Sequence, residues 1–508
     1  MKKVLPVVIL ISMLLTLLSG CSASGNLKGG DNIDDLLMPP DAESPAEGGL
    51  PAQDADAPTF AENPFIATQE EAVSTFSADV DTASYTYFRK LVNSGYSLRG
   101  LMQEGTSFRT EEFLNYFKYQ ASAPQGGELF GVKAAIADCP WNPDTVLMSL
   151  TLQAEEAVPE GGNNLVFLID VSGSMRSSDK LPLLKKAFSY LVAQLSAEDR
   201  VSIVTYSGKV EVVLSGCPGS QGEKIMEAIN RLVVNGSTNG EAGLQEAYRV
   251  AAENRIEGGN NRIIMASDGD LNVGISDDEE LKAFVEQKRE EGTYLSVLGF
   301  GTGNYRDSKM ETLADNGNGV YYYIDGESEA ERIFGTELLS TLYTVANDVK
   351  LQITFDPACV ASYRLIGYEN RILDKEDFED DTKDAGEVGA GHQVTVCYEL
   401  TLTAKAAEAD EWMKLAVRYK RPDESVSQLD EYAIGQGNVT TEPDEDFRFQ
   451  SAVILTAMVL HNSQYLNDIN LDNVLDMLSS LDLSSAPDRS EFRDLVRKLV
   501  TESESADL

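Results

Sequence analysis

The feature that most constrains the fold is an alternation of short apolar segments with longer amphipathic segments between residues 163 and 349. Each apolar segment has the length of a strand, and the segments between them repeat their apolar residues at helical spacing. Strands that alternate with helices form a mainly parallel sheet with helices on both faces. The sequence therefore predicts an α/β fold with a doubly wound, Rossmann-like sheet and a last helix at about 327–349. The predicted strands contain LVFLID, RVSIVTYSG, VEVVLSG, RIIMASDGD, TYLSVLGFG and VYYYID.

The segment before this domain, residues 73–160, is predicted to be an α+β flanking region. The stretch TASYTYFRKLVNSG has helical periodicity, and we expect Asp81 to cap this helix and Gly95 to end it. A second helix is predicted in RTEEFLNYFKY, followed by strands in ELFGVKAAIA and TVLMSLTLQ.

The segment after the domain is predicted to be β-rich over residues 350–440 and helical over 441–508. Its first part alternates apolar and polar residues with period two, which is typical of antiparallel strands with one face in solvent. Helices are expected at 446–466 and 487–500. Periodicity does not reveal strand pairing, so it stays open whether strands from both flanks share one sheet around an inserted α/β domain.

The first twenty residues have the pattern of a secretory signal, with Lys2 and Lys3 before the apolar segment 4–18. The junction LSGC resembles the lipobox of bacterial lipoproteins, which implies cleavage before Cys21 and a diacylglycerol on its sulfur. Two acyl chains hold a protein stably to a bilayer, so we expect a lipid anchor on the extracytoplasmic side of the cell membrane. An ordinary signal peptide with an incidental cysteine is the alternative. Residues 21–72 are rich in Gly, Pro and acidic residues, which predicts a disordered linker.

Charge and cysteine content exclude several classes of function. The net charge of −42 argues against a nucleic-acid partner, because phosphates would be repelled. The remaining cysteines form no CxxC pair, so zinc and thioredoxin chemistry are not expected. In an exported protein they could form disulfides or act as small buried apolar residues; they are Cys139, Cys217, Cys359 and Cys397.

Polar side chains gather where three of the predicted elements reach one edge of the sheet. Asp170 ends a strand and is followed by Ser172 and Ser174, a later loop offers Thr238, and another strand ends near Asp268. Ligands bind at the carboxyl edge of doubly wound sheets. Two carboxylates and three hydroxyls are hard oxygen donors, which suit Mg²⁺, Mn²⁺ or Ca²⁺. Because hydroxyls are neutral, the ion keeps positive charge and would attract an Asp or Glu carboxylate of a protein ligand.

In order and placement, DVSGS, GSTNG and SDGD resemble the metal-ion-dependent adhesion site of von Willebrand factor A domains. The resemblance implies that Asp170, Ser172, Ser174, Thr238 and Asp268 surround the ion, some through water, with Mg²⁺ the first choice. The segments TFSADVDTASYTYFRK, CPWNP, YRLIGYENR and DFRFQSAV resemble bacterial von Willebrand A lipoproteins of the YfbK type. This second resemblance covers about residues 73–466 and implies no chemistry for the flanks.

Rival chemistries find less support in the sequence. DVDTAS at 79–84 departs from the aspartate-nucleophile pattern, since Thr82 stands one place early, and GFGTGN lacks the third glycine of a dinucleotide loop. No zinc-protease, nucleophile-elbow or P-loop motif is present, and the only histidines are His392 and His461. We therefore expect a binding protein that is not an enzyme and uses no nucleotide. An envelope assembly factor that binds through the flanks is the alternative, and a hydrolase using a metal-bound water between the two carboxylates comes third.

Overall fold

The computed structural model describes residues 61–103, 108–156, 161–269, 278–301, 307–422, 424 and 426–506. The predicted signal segment, Cys21 and most of the predicted linker lie outside the described residues. The strands in the described ranges are β1 Ile66–Ala67, β2 Val73–Ser77, β3 Phe130–Asp138, β4 Val146–Ala154, β5 Asn163–Asp170, β6 Arg200–Tyr206, β7 Val210–Pro218, β8 Asn260–Ser267, β9 Tyr294–Phe300, β10 Tyr321–Ile324, β11 Thr344–Phe355, β12 Val360–Ile366, β13 Gly386–Gly389, β14 Gln393–Leu402, β15 Met413–Lys420 and β16 Gln428–Ile434.

The helices are α1 Ala83–Asn93, α2 Leu98–Gln103, α3 Thr110–Tyr116, α4 Leu181–Gln194, α5 Gly222–Asn230, α6 Gly240–Glu253, α7 Asp278–Glu290, α8 Asp307–Asn316, α9 Glu327–Glu331, α10 Leu338–Leu342, α11 Glu445–Leu460, α12 Leu471–Ser479 and α13 Pro487–Ala506. None of the described helices has both the length and the apolar content needed to cross a bilayer.

The central sheet has the order β10-β9-β8-β5-β6-β7, and only β7 runs antiparallel to its neighbour. Every residue of β5 is buried. Leu165, Phe167 and Ile169 belong to one apolar core, and Val166 and Leu168 belong to a second core on the opposite face. Both faces of the strand are therefore covered, and the predicted doubly wound α/β fold is confirmed.

Strands from both flanks pair with each other. One antiparallel sheet has the order β1-β12-β14-β4-β3, so β3 and β4 from before the α/β domain join β12 and β14 from after it. A second sheet, β13-β11-β15-β16, takes β2 against β11. The α/β domain thus lies between two chain segments that share sheets. The residue boundaries that the sequence predicts for the α/β domain and its two flanks remain predictions.

The prediction of one long helix at 327–349 is wrong, because the helical segment is divided and its last part, from Thr344, is a strand. Helix α9 ends at Glu331, a π-helical turn follows at Arg332–Thr336, and α10 ends at Leu342. Strand β11 then begins at Thr344 and pairs with β13 and later with β15. Tertiary pairing overrides a helical pattern that is weak at Thr344 and Val345, both β-branched.

Asp81 does not cap helix α1. Its Oδ1 accepts the backbone N–H of Tyr321 at 2.9 Å, which joins the flank to the α/β domain. The first turn of α1 is instead satisfied by Glu112 of α3, whose Oε2 accepts the N–H of Ser84 at 2.7 Å. Gly95 follows the helix with a φ of 86°, as predicted for its C-terminal end.

The expectation of strands with one face in solvent fails for β14, of which eight of the ten residues are buried. It holds for β16, where exposed and partly buried residues alternate.

The four cysteines of the described residues are all buried and free. The structure therefore shows no disulfide among them; they are Cys139, Cys217, Cys359 and Cys397.

Candidate functional site

The site lies at the carboxyl edge of the central sheet, where the strand order reverses. Strand β5 runs between β6 and β8, and its pairing with β8 ends at Ile169 opposite Ala266. Asp170 and Asp268 follow within two residues of that pair on adjacent strands, which lie about 4.8 Å apart in a sheet. This crevice is the position at which doubly wound folds bind ligands.

The turn after β5 is organised by its own polar side chains. The Oδ1 atom of Asp170 accepts the backbone N–H of Ser172 at 2.7 Å, and the Oγ atoms of Ser172 and Ser174 lie 2.9 Å apart. Asp170 and Ser172 are buried, whereas Ser174 is partly exposed. The turn therefore presents one carboxylate and two hydroxyls together.

The second loop is held against this turn by backbone hydrogen bonds. The N–H of Asn235 donates to the carbonyl of Val171 at 2.7 Å, and the N–H of Gly173 donates to the carbonyl of Gly236 at 3.1 Å. Gly236 has a φ of 74°, a conformation that glycine adopts without strain. Thr238 follows two residues later and is 6% exposed. The structure thus brings the Thr238 loop to the two serines.

A residue that the sequence analysis missed completes the site. Lys180 precedes helix α4, and its Nζ donates to Oδ2 of Asp268 at 2.7 Å. Both side chains are nearly inaccessible, at 10% and 0% exposure. A lysine at a helix N-terminus opposes the helix dipole, and this unfavourable position is the signal that could have identified it.

Gly301 makes room for the Lys180 side chain. Its φ is 75°, and a Cβ atom added there would lie 2.2 Å from Cε of Lys180. The carbonyl of Gly301 also accepts the hydroxyl of Tyr323 at 2.8 Å, which fixes the loop. The first glycines of GFGTGN therefore serve packing beside the site; the end of that motif lies outside the described residues.

The donor set fits a small divalent cation. Adjacent ligands of an octahedral Mg²⁺, at metal–oxygen distances of about 2.0–2.1 Å, lie about 2.9 Å apart, and the two serine hydroxyls have this separation. The residues that would hold the ion are those predicted: Asp170, Ser172, Ser174, Thr238 and Asp268. Their assignment as ligands stays a prediction that the geometry accommodates.

The rival sites are engaged in structural contacts. Burial lowers the pKa of His392 to about 3, and burial lowers the pKa of His461 as well, so both rings are neutral. Asp79 accepts the N–H of Asp81 at 2.9 Å, and Arg371 approaches both carboxylates at 3.3 and 3.6 Å. These groups form buried networks that join the flanks to the α/β domain.

Three segments of the chain match known families. Residues 164–336 match the von Willebrand factor type A domain, residues 52–149 match a family described as von Willebrand factor, and residues 340–503 match one described as uncharacterized protein YfbK, C-terminal.

Individual proteins are also similar to this chain. The uncharacterized protein YfbK of Escherichia coli strain K12 is 39% identical over 443 residues, which is 82% of this chain and 76% of that protein. A solved structure of a von Willebrand factor type A protein from Catenulispora acidiphila aligns with a TM-score of 0.42 and 17% identity over 76% of this chain and 89% of that chain. Proximal thread matrix protein 1 from the mussel byssus, with a zinc occupied MIDAS motif, aligns with a TM-score of 0.30 and 21% identity over 35% and 44% of the two chains.

Proposed function

The chain belongs to the family of the Escherichia coli protein YfbK and contains a von Willebrand factor type A domain, and from this premise we propose that it is an exported, lipid-anchored protein that binds an acidic protein ligand through a divalent cation. Domains of this type generally bind proteins through a metal at the adhesion site. The observation that carries the proposal is the joining of the Ser172–Ser174 turn and the Thr238 loop by two backbone hydrogen bonds, beside Asp268.

The charges of the site favour an acidic ligand. Bound among these oxygens, a divalent cation would supply an electrophilic position for a carboxylate oxygen. Asp170 and Asp268 carry two negative charges, and Lys180 adds a positive charge within 2.7 Å of Asp268. The loaded site would therefore keep a net positive charge, which attracts an Asp or Glu side chain and repels a basic one. Mg²⁺ remains the first choice of ion.

Membrane attachment is proposed from the signal pattern and the LSGC junction alone. A Cys21→Ser variant should lose incorporation of radiolabelled palmitate and move from the membrane fraction to the soluble fraction. A wild-type chain that takes up no label would leave the binding proposal intact and remove the lipid anchor.

The binding proposal is tested in two steps. Isothermal titration with Mg²⁺ and Mn²⁺ should show binding that Asp170→Asn abolishes; the amide keeps an oxygen acceptor for the Ser172 N–H and loses the charge. Immobilised chain should then retain envelope proteins in Mg²⁺ and release them in EDTA, with the Asp170→Asn chain as the matched control. Capture by the Asp170→Asn chain in Mg²⁺ equal to that by the wild-type chain would contradict the proposal.

Capture that is independent of metal would favour the alternative of an assembly factor that binds through its flanks. We propose no enzymatic role, since both histidines are buried and neutral. Turnover of ester or phosphate substrates that depends on Asp170 would overturn that part of the proposal.

A further inference from the structure

A second group of carboxylates converges outside the α/β domain. Asp348 lies in β11, Asp384 lies two residues before the start of β13, and Glu387 lies within β13. One oxygen from each of these side chains lies within 4.8 Å of the other two. The group, here the flank trio, shares no residue with the predicted adhesion site.

The hydrogen-bond partners of the flank trio are unevenly distributed. Lys420 donates to Oδ2 of Asp348 at 2.6 Å, and Arg289 of helix α7 contacts both oxygens of Asp384 at 2.8 and 2.7 Å. Glu387 is only 7% exposed, and its Oε1 atom is buried with no hydrogen-bond partner among the described residues. Asp348 and Asp384 thus each have an ion-pair partner, whereas Glu387, the deeply buried member, has none within ion-pair distance among the described residues.

A buried carboxylate without a partner is costly unless a cation or a proton neutralises it. The buried Oε1 atom of Glu387, which has no hydrogen-bond partner among the described residues, is what is expected of a site that a cation would complete.

Two members of the flank trio are accessible from a cavity of about 200 Å³. Asp384 and Glu387 line it, together with Asp315, Arg371 and the half-exposed Ile372. Arg371 is already paired with Asp315 at 2.8 Å and with other carboxylates, so it does not neutralise Glu387. The cavity offers an entry path and room for the water molecules that complete a cation's shell.

We propose that Asp348, Asp384 and Glu387 form a second divalent-cation site, suited to Ca²⁺, in the flanking region. Two oxygens bound to one ion can lie at most twice the metal–oxygen distance apart. That limit is about 4.6–5.2 Å for Ca²⁺ and about 4.2 Å for Mg²⁺, so Ca²⁺ requires less inward movement of three oxygens that lie within 4.8 Å of one another. Arg289 links the trio to helix α7, so the ion would stabilise the junction between β13 and the α/β domain.

The experiment counts Ca²⁺ ions per folded chain by isothermal titration. In the Asp170→Asn background, which disables the adhesion site, one Ca²⁺ should bind, and adding Glu387→Gln should remove it. Glu379→Gln, an exposed carboxylate on the same flank, serves as the matched control and should leave the count unchanged.

A thermal melt distinguishes loss of the site from loss of the fold. Without Ca²⁺, Glu387→Gln should melt at or above the temperature of the parent chain, since it removes a buried charge that lacks a partner. Ca²⁺ should raise the melting temperature of the parent and leave that of Glu387→Gln unchanged. No Ca²⁺ binding at millimolar concentration by a folded Asp170→Asn chain, or binding that Glu387→Gln retains, would overturn the proposal. Neither result would bear on Mg²⁺ binding at the adhesion site, because that binding is tested separately by comparing the wild-type chain with the Asp170→Asn chain.

Discussion

Lys180 is expected to weaken metal binding at the adhesion site, because its ammonium group occupies an oxygen of Asp268. In Lys180→Met this competing positive charge is lost, while an unbranched side chain of similar length still packs against Gly301. We therefore expect the variant to bind Mg²⁺ and Mn²⁺ more tightly and to be less stable than the wild type when no metal is present.

The size of the effect follows from the burial of the pair. Two unit charges about 4 Å apart interact by about 4 kcal/mol at an effective dielectric constant of about 20, whereas exposed pairs contribute about 0.2–1 kcal/mol. The Lys180–Asp268 pair, at 10% and 0% exposure, is close to the buried limit. Taking about 2 kcal/mol as the electrostatic cost to an incoming cation, the dissociation constant should fall about 30-fold. Loss of the ammonium donor to a buried carboxylate should destabilise the metal-free chain by about 1–3 kcal/mol.

Isothermal titration with Mn²⁺ gives the affinity, and urea denaturation in EDTA gives the stability of the metal-free chain. Lys186→Met is the matched control, because Lys186 lies in helix α4, which Lys180 precedes, and pairs with Glu327 at the surface. A dissociation constant for Lys180→Met within twofold of wild type would refute the competition between Lys180 and the metal. Equal stability of the two metal-free chains would show that the ion pair contributes nothing measurable.

Three further predictions concern single residues. Gly301→Ala should lower stability by at least about 1–2 kcal/mol in a thermal melt, because its φ of 75° disfavours alanine and the new Cβ would collide with Lys180. Burial lowers the pKa of His392 to about 3, while the unfolded value is about 6.5. Only the unfolded chain then gains this proton between those values, so stability should fall with decreasing pH by up to about 1.4 kcal/mol per unit. Denaturation of His392→Asn at several pH values should show a shallower slope. Arg364→Leu should cost about 3 kcal/mol in urea denaturation, since it leaves Glu399, 1% exposed, without the guanidinium that contacts it at 2.8 Å.

The predicted strands of the central domain are recovered because their signal is local. A fully buried parallel strand needs a continuous apolar run, and β5 has one in LVFLI. The turn after it is equally local, since Asp170 bonds to the backbone of Ser172 two residues away. Periodicity and strand ends therefore predict both the sheet and the edge at which polar residues gather.

Features that depend on distant partners could not be predicted in this way. Asp81 has the pattern of a helix cap, yet its partner is the N–H of Tyr321, 240 residues along the chain. Thr344 and Val345 continue a helical pattern, yet β13 and β15 provide strand partners that draw this segment into a sheet. In both cases tertiary contacts outweigh a local preference, which is about 1 kcal/mol for a helix cap and a few tenths of a kcal/mol for helix propensity.

By itself, the sequence determined the class of the central domain and the chemical character of its sheet edge, because periodicity and donor type are properties of neighbouring residues. Only the tertiary structure decided that the two flanks share sheets, that Lys180 contacts Asp268, and that Asp348, Asp384 and Glu387 converge. Charges that lie far apart in the sequence interact only when folding brings them within a few ångströms in a medium of low dielectric constant.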